Sequence, residues 1–264
     1  MHGLLNIAVM AARRAGAVLG RNFKKLEKLV VENKSHNDFV SSADLAAEKA
    51  IIEVIHKHYP DHAIHAEESG IQGQSDHVWI IDPLDGTTNY LHGFPIFAVS
   101  IGLQINGRLE HAVVYDPMRE ELFTASRGQG AQLDGHKIRV SGVKDIQGSL
   151  IGTGIPFRDA NEDMQPYLSM LSKIAKNTSG IRRPGAASLD LCYVASGRLD
   201  GFWETGLAPW DLAAGTLIIR EAGGIVSGLD GSEDHLETGH VLAGTPRVYR
   251  SLAKLCAKEI KALL

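Results

Sequence analysis

Along residues 4–19 the apolar positions Leu4, Ala8, Ala11, Ala15, Val18 and Leu19 return every three or four places, which predicts an amphipathic helix over 3–24. A polar run, 32–38, predicts a loop. Leu45, Ile51, Ile52 and Ile55 predict a second helix from near Ser41 to near Tyr59-Pro60. The period then shortens, and apolar runs at 62–66, 78–81, 97–103, 112–115 and 121–124 predict strands. Asp134-Gly135, between Leu133 and His136, is a hairpin signal. The first half therefore reads as two helices on a largely antiparallel sheet.

The second half alternates. Strand candidates at 150–154, 180–183, 201–204, 224–227 and 240–243 take turns with helical patterns at 164–176, 187–196, 211–222 and 246–263. Alternation of this kind predicts α/β layering. The whole is an α+β or α/β fold. The polar stretch 141–149 marks a division into 1–145 and 146–264, two halves of one compact unit.

Composition narrows the function. With 264 residues and 44% hydrophobic positions, the chain can bury a sizeable core. Its 27 basic and 31 acidic residues leave a net charge of −4, so no general attraction to nucleic acid or to an anionic membrane is expected. The pairs Arg13-Arg14 and Arg182-Arg183 read as solvated surface. Two cysteines, Cys192 and Cys256, cannot build a disulfide framework and point to a reducing, cytoplasmic setting. Neither a signal peptide nor an apolar run of transmembrane length is evident.

The chemistry concentrates in Trp79-Ile80-Ile81-Asp82-Pro83-Leu84-Asp85-Gly86-Thr87-Thr88-Asn89. An apolar strand ends in an acid, with Pro83 expected to help stop it. A second acid follows three residues later, and then a turn offers bare backbone N–H groups for an anion. Carboxylates repel phosphate unless divalent cations lie between them, and Mg²⁺ takes carboxylate and phosphate oxygens together. Glu67-Glu68 follows a strand candidate, where adjacent acids point to opposite faces. Asp211 opens a helix after Pro209-Trp210 and reads as its N-cap. Asp44, three residues after Ser41, fits a weakened capping box. Each acid taken singly suits an ordinary turn or cap; together they suit an oxygen-ligand metal site. The twelve histidines show no zinc spacing, and no phosphate-binding P-loop or serine nucleophile elbow occurs. Gly128-Gln129-Gly130 reads as a turn.

These residues resemble the inositol monophosphatase family of Mg²⁺-dependent, lithium-sensitive phosphatases. The signature W-[IV]-[IV]-D-P-[IL]-D-G-T-x-N matches Trp79 to Asn89, and W-D-x-A-A-G-x(5)-E-A-G-G matches Trp210 to Gly224. Glu67 to Gly70 and Ala43-Asp44 also match. Tyr115 to Arg119 and Arg127 to Ala131 resemble the bacterial branch. The resemblance implies a layered αβαβα fold and two to three Mg²⁺ ions. It implies that Glu67, Asp82 and the Leu84 carbonyl hold one ion, that Asp82, Asp85 and Asp211 hold another, and that Glu67 serves a third. Glu68 would orient a water on the metal, and Thr87 with Asp44 would position the attacking water. Asp85, Gly86 and Thr87 would bind the phosphate side, Gly185 and Ala187 would line the sugar ring, and Glu204 would accept substrate hydroxyls. Lys34 matches a loop lysine near the metals. The substrate implied is inositol 1-phosphate, with fructose 1,6-bisphosphate or a nucleotide 3′-phosphate as alternatives. A homodimer is implied, as is a possible association of bacterial members with the transcription machinery in ribosomal RNA antitermination.

Overall fold

A computed structural model describes residues 3–35, 38–156 and 163–264, the side chains of 32–35 and 38–40 excepted. Helices α1 (Gly3–Phe23) and α2 (Ser42–His58) stand where the spacing puts them. Their facing residues are small: Ala8, Ala11, Ala12 and Ala15 on α1 and Ala43 and Ala47 on α2 are all buried, so the two helices pack closely. Strands β1 (Val31–Ser35) and β2 (Asp38–Ser41) pair antiparallel where a loop was predicted. Backbone hydrogen bonds hold this hairpin, so its polar sequence carries no strand pattern. His36 and Asn37 lie outside the described residues, as does the side chain of Lys34.

Next in the chain come β3 (Ala63–Ala66), β4 (Gly70–Gln72), β5 (His77–Asp85), α3 (Thr87–Leu91), β6 (Ala98–Ile105), β7 (Arg108–Asp116), β8 (Glu121–Ser126), β9 (Gly130–Leu133) and β10 (His136–Lys137). Their strands form one sheet in the order β10-β9-β8-β7-β6-β5-β3-β4. Every neighbour is antiparallel except β3 and β5. Asp134 and Gly135 turn the β9–β10 hairpin with φ of 50° and 79°, the positive values such a tight turn needs. Pro83 does not end β5. The strand continues to Asp85 through a bulge, in which the three steps from Asp82 to Asp85 oppose the two from Ser100 to Ala98.

The second half supplies β11 (Leu150–Thr153), α4 (Gln165–Asn177), β12 (Gly180–Arg182), α5 (Ala187–Ala195), β13 (Gly201–Glu204), α6 (Pro209–Glu221), β14 (Ile225–Ser227), α7 (His235–Thr238), β15 (Val241–Gly244), α8 (Pro246–Leu255) and α9 (Ala257–Leu263). Its sheet runs β12-β11-β13-β15-β14, parallel through the first three strands. The helix predicted over 246–263 is two. The chain breaks at Cys256, and this lets Glu259 on α9 meet Lys173 at 2.8 Å and Ser169 at 3.1 Å on α4.

Alternation along the strands sorts the layers. Trp79 and Ile81 of β5 face α1 and α2, while Ile80 faces α5 and α6. Helices α5 and α6 fill the middle, and α4, α8 and α9 cover the outer face of the small sheet. This is the αβαβα sandwich. Helix α6 is buried from Asp211 through Ile219, as a helix between two sheets must be. Gly102 permits its approach, since a Cβ there would lie 3.0 Å from Ala213 Cβ.

A candidate metal centre at the end of β5

Three elements bring acids to one point. Asp82 and Asp85 come from the two sides of the β5 bulge, and Asp211 from the first turn of α6. Their nearest oxygens lie within 4.8 Å of one another, and all three residues are buried. Asp211 is not the N-cap that the sequence suggested. Pro209, whose fixed φ suits the first helical position, starts α6, so Asp211 falls third and its Oδ2 accepts the Ala208 N–H at 2.7 Å. Asp82 accepts the Leu84 N–H at 2.9 Å. Asp85 accepts three bonds from the start of α5: Ala187 N–H, Ser188 N–H and Ser188 Oγ–H.

The electrostatics are those of an anion cage. Burial pushes the Asp82 carboxyl well above its usual range, and the charges of Glu67, Asp85 and Asp211 push it further. Asp85 rises to about 6, again chiefly by burial, with the Ser188 hydroxyl and the α5 amides opposing the rise. Several buried carboxylates that repel one another and offer only oxygen fit a hard cation such as Mg²⁺.

Glu67 and Glu68 occupy the turn after β3. Glu67 is tied to β5 through its N–H to the Ile81 carbonyl at 3.1 Å, and its charge is felt at both Asp82 and Asp85. The turn has an anchor that the sequence did not suggest. Glu48, buried on α2, accepts the Glu68 and Ser69 N–H groups at 2.8 and 2.9 Å. Only the long-range contact identifies it; in sequence Glu48 is one more helix acid.

Thr87 opens α3, and its hydroxyl lies 3.0 Å from both Asp44 Oδ1 and the Leu84 carbonyl. The capping box at Ser41 is formed: Asp44 Oδ2 accepts the Ser41 N–H at 3.0 Å and the Ser41 hydroxyl at 2.5 Å. Asp44 therefore caps α2 with one oxygen and reaches Thr87 with the other. Burial raises its carboxyl despite these bonds.

Gly86 holds φ at 95°, where a Cβ would stand 3.0 Å from the Ile96 carbonyl and 3.3 Å from that of Gly185. The Gly185 loop is thus packed on the turn that starts α3. Asn89 joins them, its amide donating to Ile96 O at 2.9 Å and Pro184 O at 2.8 Å. The sequence offered Asn89 only as a motif letter. Glu204 ends β13 and is half-buried. Its charge and that of Asp85 both act on buried Asp190.

The pattern that defines the inositol monophosphatase family matches residues 1–263. The chain belongs to the inositol monophosphatase family. The Nus factor SuhB of Pseudomonas aeruginosa is 52% identical over 257 residues, covering 96% of this chain and 95% of the relative. Among solved structures, the extragenic suppressor protein suhB from Bartonella henselae matches with a TM-score of 0.94 at 42% identity, covering 97% of this chain and 99% of that one. Inositol monophosphatase from Anabaena matches at 0.85 and 39% identity, covering 97% and 95%. The αβαβα sandwich is therefore the fold of this family. Among the described residues, no helix is long and apolar enough to cross a membrane.

Proposed function

We propose that the protein is a Mg²⁺-dependent phosphatase that hydrolyses inositol 1-phosphate to inositol and phosphate by in-line attack of water. The observation that carries this reading is the convergence of three buried carboxylates beside a threonine hydroxyl held by a buried acid. On this reading Glu67, Asp82 and the Leu84 carbonyl hold one ion, Asp82, Asp85 and Asp211 another, and Glu67 serves a third. Bound Mg²⁺ neutralises the phosphate dianion and lowers the pKa of water from about 15.7 toward neutrality.

The chain's own groups supply the rest. The first-turn N–H groups of α3, at Gly86 and Thr87, face no carbonyl within the helix and cradle the phosphate oxygens. Thr87, with its hydroxyl proton drawn by Asp44, presents a lone pair that orients the incoming water. Glu68 orients a water on the metal. Gly185 and Ala187 wall the ring, and Glu204 accepts hydroxyl protons of the polyol. An acid at Glu204 would repel a second phosphate, which favours a monophosphate over fructose 1,6-bisphosphate or adenosine 3′,5′-bisphosphate. Residues 1–145 and 146–264 act as one unit on this reading, since Asp82 and Asp211 come from opposite halves.

Phosphate release from these three substrates, with and without Mg²⁺, tests the reading. Inositol 1-phosphate should be turned over fastest, only with Mg²⁺, and Asp82→Asn should lower the rate by about a thousandfold. Equal turnover of inositol 1-phosphate without Mg²⁺, or by Asp82→Asn, refutes it. The name Nus factor, carried by relatives such as that of Pseudomonas aeruginosa, favours a second role beside the first, in association with the transcription machinery. Asp82→Asn should keep that association while losing hydrolysis.

A further inference from the structure

Asp85 serves a helix far from it in sequence. Helix α5 starts at Ala187, and the residue at its cap position, Ala186, has no side-chain oxygen to receive the first-turn amides. Asp85 takes that place from another layer. Its Oδ1 accepts the Ala187 N–H at 3.2 Å, and its Oδ2 accepts the Ser188 N–H at 2.8 Å. The Ser188 hydroxyl adds a third bond to Oδ2 at 2.5 Å. Ser188 is completely buried.

The backbone bonds need only an N–H at 187 and 188; the third bond needs the side-chain hydroxyl of Ser188. A carboxylate offers about four lone-pair positions. Three accepted bonds from α5 leave one direction open, and the oxygens of Asp82 and Asp211 lie within 4.8 Å of Asp85. In the metal-free protein the charge of Glu67 pushes against the Asp85 carboxylate. The hydroxyl holds it against that push and removes the rotamer freedom that a cation would otherwise have to quench.

We propose that Ser188 is a positioning residue for Asp85, fixing the carboxylate for a divalent cation without touching substrate. The proposal rests on Asp85 being a cation ligand. Loss of a hydrogen bond to a ligating group commonly weakens metal affinity by about 10–100-fold.

Calorimetric titration of Mg²⁺ into the metal-stripped full chain tests it, with Mn²⁺ binding followed by electron paramagnetic resonance as a second readout. Ser188→Ala should raise the dissociation constant about tenfold or more. Its kcat at saturating Mg²⁺ should stay within about twofold of wild type. Ser188→Cys, which keeps the volume and a weaker donor, should fall between. A serine that merely starts a helix would lower the melting temperature of the stripped protein and leave the dissociation constant unchanged; that result overturns the proposal. Absence of Mg²⁺ binding by the wild type instead overturns the reading of the cluster itself, so the two failures are distinguishable.

Discussion

Asp190 lies on α5 with 1% of its surface exposed, and neither carboxyl oxygen has a hydrogen-bond partner among the described residues. Burial pushes its carboxyl well above the usual range, and the charges of Glu204 and Asp85 add to the push, with Arg183 opposing. The folded state therefore binds this proton more tightly than the unfolded chain, whose aspartates titrate near 3.9. The stabilisation is complete below about pH 4 and is lost as pH rises through the raised folded value. Asp190→Asn keeps the shape and removes the titration. Denaturant unfolding at pH 5 and pH 8 should show the variant gaining on wild type by roughly 1 kcal/mol or more across that interval. Parallel pH profiles would show that Asp190 is ionised in the fold. Asp44 makes the complementary point: both its oxygens are satisfied, by Ser41 and Thr87, so one residue can hold a helix end and orient the Thr87 hydroxyl together.

Between elements, the site depends on bonds that cross layers. Glu48 of α2 fixes the turn after β3 through two N–H groups of Glu68 and Ser69. Glu48→Gln would replace one accepting oxygen with an NH₂ that faces an N–H donor. The loss of a charge-assisted bond should destabilise the protein by about 1.5–3 kcal/mol. It should also lower kcat/KM about tenfold, because Glu67 and Glu68 lie in that turn; an unchanged kcat/KM would mean that the turn holds its place without Glu48. Glu221 of α6 does the same for the turn at Gly128 and Gly130, accepting their N–H groups at 2.8 and 2.7 Å. This gives the glutamate of the second signature a structural duty. Such links explain what was legible in the sequence. Long periodic helices such as α1 and α2 announce themselves by apolar spacing, and Asp82 and Asp85 by an acid pair at a strand end. The β1–β2 hairpin, the three-residue β4 and the four-residue α7 are too short or too polar to carry a period. Glu48, Asn89 and Ser188 act through partners that no local pattern reveals. Asp211 was visible as an acid but misplaced by three positions, because Ala208 takes the cap and Pro209 and Trp210 join the helix ahead of it.

For the whole molecule, the acid cluster sets two layers against each other, a repulsion that a bound cation would relieve. Asp82 and Asp85 stand on the large sheet and Asp211 on α6, so their repulsion acts across the packed middle of the sandwich. Burial and mutual charge raise the Asp82 and Asp85 carboxyls, the latter to about 6. In the metal-free protein their contribution to stability is therefore present near pH 4 and falls away as pH rises toward and past 6. On the proposed function Mg²⁺ would have to displace those protons, so its binding should strengthen over the same interval. At pH 8, Mg²⁺ at about a hundred times its dissociation constant should add about 2.7 kcal/mol, or roughly 5–11 °C in melting temperature. At pH 5 the gain should largely vanish, and Na⁺ at equal ionic strength should give little at either pH. Thermal melts of metal-stripped protein, with and without Mg²⁺ across this range, should give two curves that converge in acid and separate in base. Curves that stay superimposed to pH 8 would mean that the three aspartates tolerate one another without a cation, and the case for a metal-dependent phosphatase would fail with them.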